Sequence, residues 1–108
     1  NRNVDLILCP TSIGFAYSGD KKISLPDEKH KWLKTITTNS FMINTPIVVT
    51  NRIGVEYDGG RKIRFWGHSF ITNANGDIEY KADNKKVMHK HTIDLSHNKK
   101  YRKLWAFR

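Results

Sequence analysis

Two short apolar runs, "VDLILCP" (residues 4–10) and "TPIVVTN" (45–51), bracket a stretch of helical periodicity, and this arrangement constrains the fold most. Runs of this length that do not alternate with polar residues fit strands buried on both faces. Between them, Ser24 precedes Pro26, Asp27 and Glu28: a capping hydroxyl, a proline near the first turn and acids at the positive end of the helix dipole. Trp32, Leu33, Ile36, Ser40 and Ile43 follow at helical spacing and predict a helix over about 28–43. Residues 11–24, broken by Gly14 and Gly19, read as a loop. Strand, helix, strand is a βαβ unit whose strands should be parallel neighbours.

The second half changes character. "EYDGGRKIRF" (56–65) holds a Gly-Gly turn, and "GHSFIT" (67–72) and "DIEYKA" (77–82) flank Asn75-Gly76, a strong hairpin signal. "KKVMHKHTIDL" (85–95) alternates enough to predict a third antiparallel strand. Asp94 or Ser96 then caps a short last helix, with Tyr101, Leu104 and Trp105 on one face. The expected class is α/β, or α+β: a βαβ unit, an antiparallel hairpin region and a C-terminal helix.

At 108 residues the chain holds one domain at most. It opens on Asn1 directly ahead of a strand-like run and closes on Arg108 straight after Leu104-Trp105-Ala106-Phe107. It therefore reads as an internal or C-terminal piece of a longer chain, one partial domain over 1–108. No apolar run approaches the ~20 residues that span a bilayer, and a membrane partner is not expected. One cysteine cannot form an internal disulfide, which fits a reducing cytoplasm. The net charge is +9, and residues 85–108 carry eight Lys/Arg against Asp94 alone. Such a tail can contact phosphates, but a solvated helix face is the favoured reading, since charge alone is weak evidence of function.

Candidate chemistry is thin. Cys9 lies inside an apolar run, where burial raises a thiol's pKa, and it reads as structural. His89 and His91 share a strand face, but no further ligand set supports a metal, and they read as surface histidines. The sharper hint is positional. Ligands bind at the carboxyl ends of strands in open parallel sheets. Thr11, after the first run, and Asn51, ending the second, should therefore lie side by side at one rim. The plainer alternative is that Asn51, Arg52 and Glu56 only fix the turn, through hydrogen bonds and an ion pair.

The order of motifs resembles a known family. "CPTSIG", a Trp-bearing helix, "NTPIVVTNRIGVE", "FWGHSFITNANGDIEYKAD", a strand into "DL" and a helix ending "AFR" are similar to the C-terminal portion of the nitrilase superfamily, the carbon–nitrogen hydrolases. Within it they are nearest the N-carbamoylputrescine amidase and N-carbamoyl amino acid amidohydrolase branch. The resemblance implies part of an α-β-β-α four-layer sandwich. It implies cleavage of a non-peptide C–N bond by a Glu-Lys-Cys triad lying upstream of this chain. Cys9 falls where the family tends to place Tyr or an aliphatic residue, so no catalytic residue is expected here. Thr11, Ser12, Ile13 and Gly14 match a loop lining the substrate cleft, Asn51 and Arg52 match the next strand end, and Gly67 and Ser69 match a strand under the site, with Glu56 structural beside it. In the carbamoylputrescine branch this loop continues into Ser-Glu-Pro; here Phe15-Ala16-Tyr17 brings no acid for a substrate amine. The family's Arg/Pro-rich tail is also missing after Arg108.

The expectation is thus a cytoplasmic hydrolase of a small amide or N-carbamoyl amine, without cofactor or metal, inactive as the 108-residue chain alone. A homo-oligomer is expected, because exposed apolar sheet faces need covering. The rival is a small basic nucleic-acid-binding module, favoured by charge and interleaved aromatics. Against that rival stand the aromatics' places beside apolar runs, which suggest core.

Overall fold

The computed structural model describes residues 4–23, 27–85 and 88–105, with side chains in the last helix at Ser96, Asn98–Lys100 and Lys103. Among these residues, two four-stranded sheets and two helices make a mixed α/β architecture of the expected class.

The first sheet carries the βαβ unit. β1 (Ile7–Thr11) and β4 (Ile47–Asn51) run parallel, Ile7 opposite Ile47 through Thr11 opposite Asn51, and α1 (Glu28–Ile43) connects them. α1 matches its predicted span, but its start differs. Asp27 sits at the N-cap in the left-handed region (φ 57°) with no side-chain cap hydrogen bond, and Ser24 and Pro26 lie outside the described residues. Its end is conventional: Asn44 adopts φ 49° and returns its backbone N–H to Phe41.

β7 (Phe70–Thr72) pairs antiparallel with β4, and β8 (Ile78–Lys81) with β7, giving the order β1-β4-β7-β8. The β7–β8 connection carries Asn75-Gly76, as predicted, with Gly76 at φ 82°. Ile47, Val49 and Phe70 form the buried core on the α1 side, packed by Trp32, Leu33, Ile36, Ile7 and Cys9. Beside it lies a buried polar knot. Ser40 Oγ sits 2.7 Å from the Thr45 carbonyl oxygen, 2.9 Å from that of Asn73 and 2.7 Å from Thr72 Oγ1, which accepts from Ile47 N–H at 2.9 Å.

β1 corrects the expectation of a strand over 4–10 buried on both faces. It starts at Ile7 and, among the described residues, has β4 as its one neighbour. Only alternate residues meet α1: Cys9 packs on the core while Leu8 is 70% exposed. Pro10, which has no N–H to donate, is tolerated at such an edge.

The second sheet corrects the loop expected over 11–24. Gly14–Ser18 is a strand, β2, and Lys21–Lys22 a short one, β3, joined at Gly19 (φ 61°). β2 pairs antiparallel with β6 (Arg61–Phe65), which pairs with β5 (Val55–Asp58) across the predicted Gly59-Gly60 turn. Gly14 looks like a breaker but is a packing requirement. A Cβ there would run into the Arg64 carbonyl oxygen and stand 2.6 Å from Phe65 Cα.

Two further expectations change. Residues 88–95 form no strand, and Lys86 and Val87 lie outside the described residues. Side chains rather than a backbone ladder hold this segment to β8: His89 stacks on Tyr80 with ring centroids 3.5 Å apart, and His91 Nε2 meets Glu79 Oε1 at 2.8 Å. His89 and His91 therefore do not share a strand face. The last helix, α2 (Ser96–Trp105), starts as predicted, with Asp94 Oδ1 accepting from Ser96 N–H at 3.0 Å. Its predicted apolar face of Tyr101, Leu104 and Trp105 lies outside the described side chains.

Candidate functional site

The parallel register sets Thr11 and Asn51 opposite one another at the carboxyl end of β1 and β4, as their sequence positions implied. The Asn51 amide is the centre of this rim. Its Oδ1 accepts from Ile13 N–H at 2.9 Å and from Thr11 Oγ1 at 3.1 Å. Its Nδ2 donates to the carbonyls of Ile13 and Gly67, both at 3.0 Å. The pattern fixes the amide's orientation, since a flipped amide would set an NH2 against the Ile13 N–H. One side chain thereby ties the β1 loop to the segment that crosses from β6 to β7. Backbone bonds follow the same path: Arg52 N–H to Thr11 O, Trp66 N–H to Ile13 O and Gly67 N–H to Arg52 O.

Ser69 completes the frame. Its Oγ accepts from Asn51 N–H at 2.8 Å, and its carbonyl accepts from Ala82 N–H. Gly67 is buried at φ 65°, and a Cβ there would stand 2.9 Å from Asp83 O and Asn84 Cα. Gly67 and Ser69 do not lie within a strand, which corrects the expectation for 67–72: β7 begins at Phe70. Asn51, Arg52, Ile53, Gly67, Ser69, Ala82, Asp83 and Lys85 line a cleft of about 260 Å³.

Arg52 and Glu56 form the anticipated ion pair, Nη1 to Oε2 at 3.0 Å, with both side chains more than half exposed. The Arg52 guanidinium also lies 4.6 Å from the Phe65 ring centre. Ser12 is exposed, while Ile13 and Gly14 are half-buried where the rim enters β2. Cys9 is a partly buried thiol two residues before the rim. Among the described residues no group of three or more His, Cys, Asp or Glu could hold a metal ion.

The sequence reading passed over His68. Its backbone sits at φ 53° and donates to Asp83 O at 2.9 Å. Its imidazole pKa is lowered chiefly by burial, then by the nearby Lys29 and Lys81 cations, while Asp83 and a hydrogen bond to the Ala82 backbone oppose the shift. Lys29 is lowered as well, by burial and by Lys81. Lys29, in the first turn of α1, and Lys81, at the end of β8, thus both act on the charge of His68. No periodicity signals this, because the three residues come from distant parts of the chain.

Such a rim can shape and rigidify one wall of a pocket. The Thr11 and Ser69 hydroxyls and the Asn51 amide are committed to the frame itself.

No protein-family model matches the chain, and no curated protein matches it in sequence. Solved structures do. A carbon–nitrogen hydrolase from Helicobacter pylori G27 superposes over 97% of the chain with a TM-score of 0.82 and 29% identity. The fold is that of the carbon–nitrogen hydrolases. A second protein of that superfamily, from Xanthomonas campestris and solved with an arsenic adduct in its active site, covers 94% of the chain at a TM-score of 0.72 and 14% identity. A glutamine-dependent NAD+ synthetase from Acinetobacter baumannii covers 78% at 0.58 and 26%. The chain spans 37%, 33% and 14% of these three proteins, so it corresponds to about a third of the two hydrolases. No helix among the described residues is long and apolar enough to cross a membrane.

Proposed function

We propose that the chain is the C-terminal portion of a carbon–nitrogen hydrolase domain that cleaves a small amide or an N-carbamoyl amine. The observation that carries this is the near-complete superposition on the Helicobacter protein at 29% identity. In this reading a cysteine nucleophile, a glutamate base and a lysine come from polypeptide outside residues 1–108. The thiolate attacks the amide or carbamoyl carbon, the amine or ammonia leaves with a proton, and water releases the acyl group. The chain contributes the opposite wall: Thr11, Ser12, Ile13 and Gly14 face the substrate, and Asn51 and Arg52 hold that loop in place. Phe15-Ala16-Tyr17, without an acid, argues for a substrate lacking a second amine over a diamine derivative. Within the superfamily the motif order supports the N-carbamoyl branch. The assembled enzyme is proposed to be cytoplasmic and homo-oligomeric, and to need no cofactor.

The test is ammonia release by the native enzyme containing this chain, assayed on simple amides and N-carbamoyl amines, against the 108-residue chain alone. The expected result is turnover by the former, abolished by a thiol alkylator, and none by the latter. Alkylator-insensitive turnover would remove the cysteine mechanism.

A further inference from the structure

β2, β3, β5 and β6 sort their side chains by the period of two that strands impose. Across the order β3-β2-β6-β5, Lys22 pairs with Tyr17, Tyr17 with Lys62, and Lys62 with Tyr57. Directly opposed residues share a face. One row therefore reads cation, aromatic, cation, aromatic across the whole sheet. The next row on that face is Phe15, Arg64 and Val55. Lys22 Nζ lies 3.6 Å from the Phe15 ring centre, and Lys62 Nζ 5.0 Å from that of Tyr17. Tyr57 is 73% exposed and Val55 is exposed beside it.

The strands' carboxylates are on the other face. Glu56 pairs with Ile63 and Asp58 with Arg61, and these line a cleft with Ala16 and Ile23 to which Tyr17 and Lys62 also contribute. The face bearing the tyrosines thus holds Lys22, Lys62 and Arg64 and no acidic strand residue. Interleaved aromatics read as core for Phe65, Trp66 and Phe70, which are buried. The same reading does not hold for Tyr57.

We propose that this face of the second sheet binds single-stranded nucleic acid. Tyr57, and Tyr17 about 10 Å away across one intervening strand, offer ring faces on which unpaired bases stack. Lys62 between them, with Lys22 and Arg64, meets the phosphates. Stacking is indifferent to sequence because every base has a π-face, and it requires bases free of a duplex. The charge of the face is complementary to a polyanion, and its exposed aromatics distinguish a nucleic acid from an acidic protein.

The experiment is fluorescence anisotropy of a labelled oligothymidylate with the native protein containing this chain as a function of salt. Three phosphate contacts on a single strand give a log–log salt slope near −2. Tyr57→Ala should weaken binding by about five- to a hundredfold, while Tyr57→Phe stays near wild type. Lys21 and Lys22 are chain neighbours on opposite faces, so their variants remove the same charge. Lys22→Ala should reduce the slope by about 0.7, whereas Lys21→Ala leaves it unchanged. Equal losses from the two lysine variants, or no effect of Tyr57→Ala, would overturn the proposal. So would absence of binding at about 50 mM salt, where phosphate contacts are strong. Poly-glutamate binding as tightly as the oligonucleotide would also overturn it and assign the face to acidic proteins. Each substituted side chain is exposed, and circular dichroism of the variants verifies the fold.

Discussion

Asn51 and Arg52 are chain neighbours at one rim, yet their energetics differ in kind. Asn51→Ala removes two donors and two acceptor contacts at once, leaving a partly buried Ile13 N–H and the Gly67 carbonyl without these partners, while the Ile13 carbonyl keeps the Trp66 N–H. Unsatisfied groups cost about 1–3 kcal/mol each when fully buried. With partial rescue by water, a loss of about 2–4 kcal/mol is expected in urea unfolding. Arg52→Ala breaks only an exposed ion pair and a guanidinium–ring contact, and should cost no more than about 1 kcal/mol. Equal costs would mean that the amide does not organise the rim. His68 supplies a second residue-scale prediction. Burial, Lys29 and Lys81 depress its pKa, so its contribution to stability is present above the unfolded value near 6.5. That contribution is lost as pH falls toward the folded value, because the unfolded chain takes up the proton first. An NMR titration of the His68 ring should place its midpoint below 6.5, and Lys81→Gln should move it upward. A midpoint at or above 6.5 would mean that burial and the two lysines do not govern this imidazole.

At the scale of elements, what the sequence made legible depended on whether a local signal existed. α1, the β4 strand, the two hairpins and the juxtaposition of Thr11 with Asn51 were all readable, because periodicity, turn residues and the parallel βαβ rule act locally or by topology. β2 was not. Gly14 and Gly19 carry the composition of a loop, and only the close approach of Gly14 to the Arg64 backbone explains the first of them. Residues 88–95 failed in the opposite direction: alternation was present, but the ladder was replaced by the His89–Tyr80 stack and the His91–Glu79 contact. The Gly14 contact yields a test. Gly14→Ala should destabilise the chain by about 1–3 kcal/mol or more, since backbone rather than a mobile side chain must move. Ser18→Ala, at the exposed end of the same strand, should be nearly neutral. If both are neutral, the β2–β6 pairing is looser than its register implies. His68 and its cations were invisible for a related reason: their meeting is a property of packing, with no spacing in the chain to announce it.

Over the whole molecule, a radius of gyration of 16.1 Å exceeds the roughly 13 Å of a compact chain of this length. Two sheets joined along one rim, with a helix on one face of the first, leave much surface uncovered. The row Leu8, Val48, Ile71 and Tyr80 crosses the first sheet on the side away from α1. His89 covers its β8 end, and Leu8, at the β1 edge, remains 70% exposed. An open edge strand beside an apolar row invites pairing with another copy, because among the described residues β1 is paired on one side only and Leu8 is exposed. The isolated chain is therefore expected to self-associate through the β1 edge. Leu8→Lys should counter this twice, by removing most of the exposed apolar area in the row and by placing a charge on the edge strand. In sedimentation equilibrium the wild-type chain should exceed its monomer mass with rising concentration, and Leu8→Lys should restore it. Met88→Lys removes a side chain that is 99% exposed but lies outside the row, and should leave association unchanged. Equal effects of the two substitutions would mean that general hydrophobicity and charge, rather than this edge, drive assembly. A monomeric wild type at every concentration would mean that Leu8 and the β1 edge are tolerated in water as they stand.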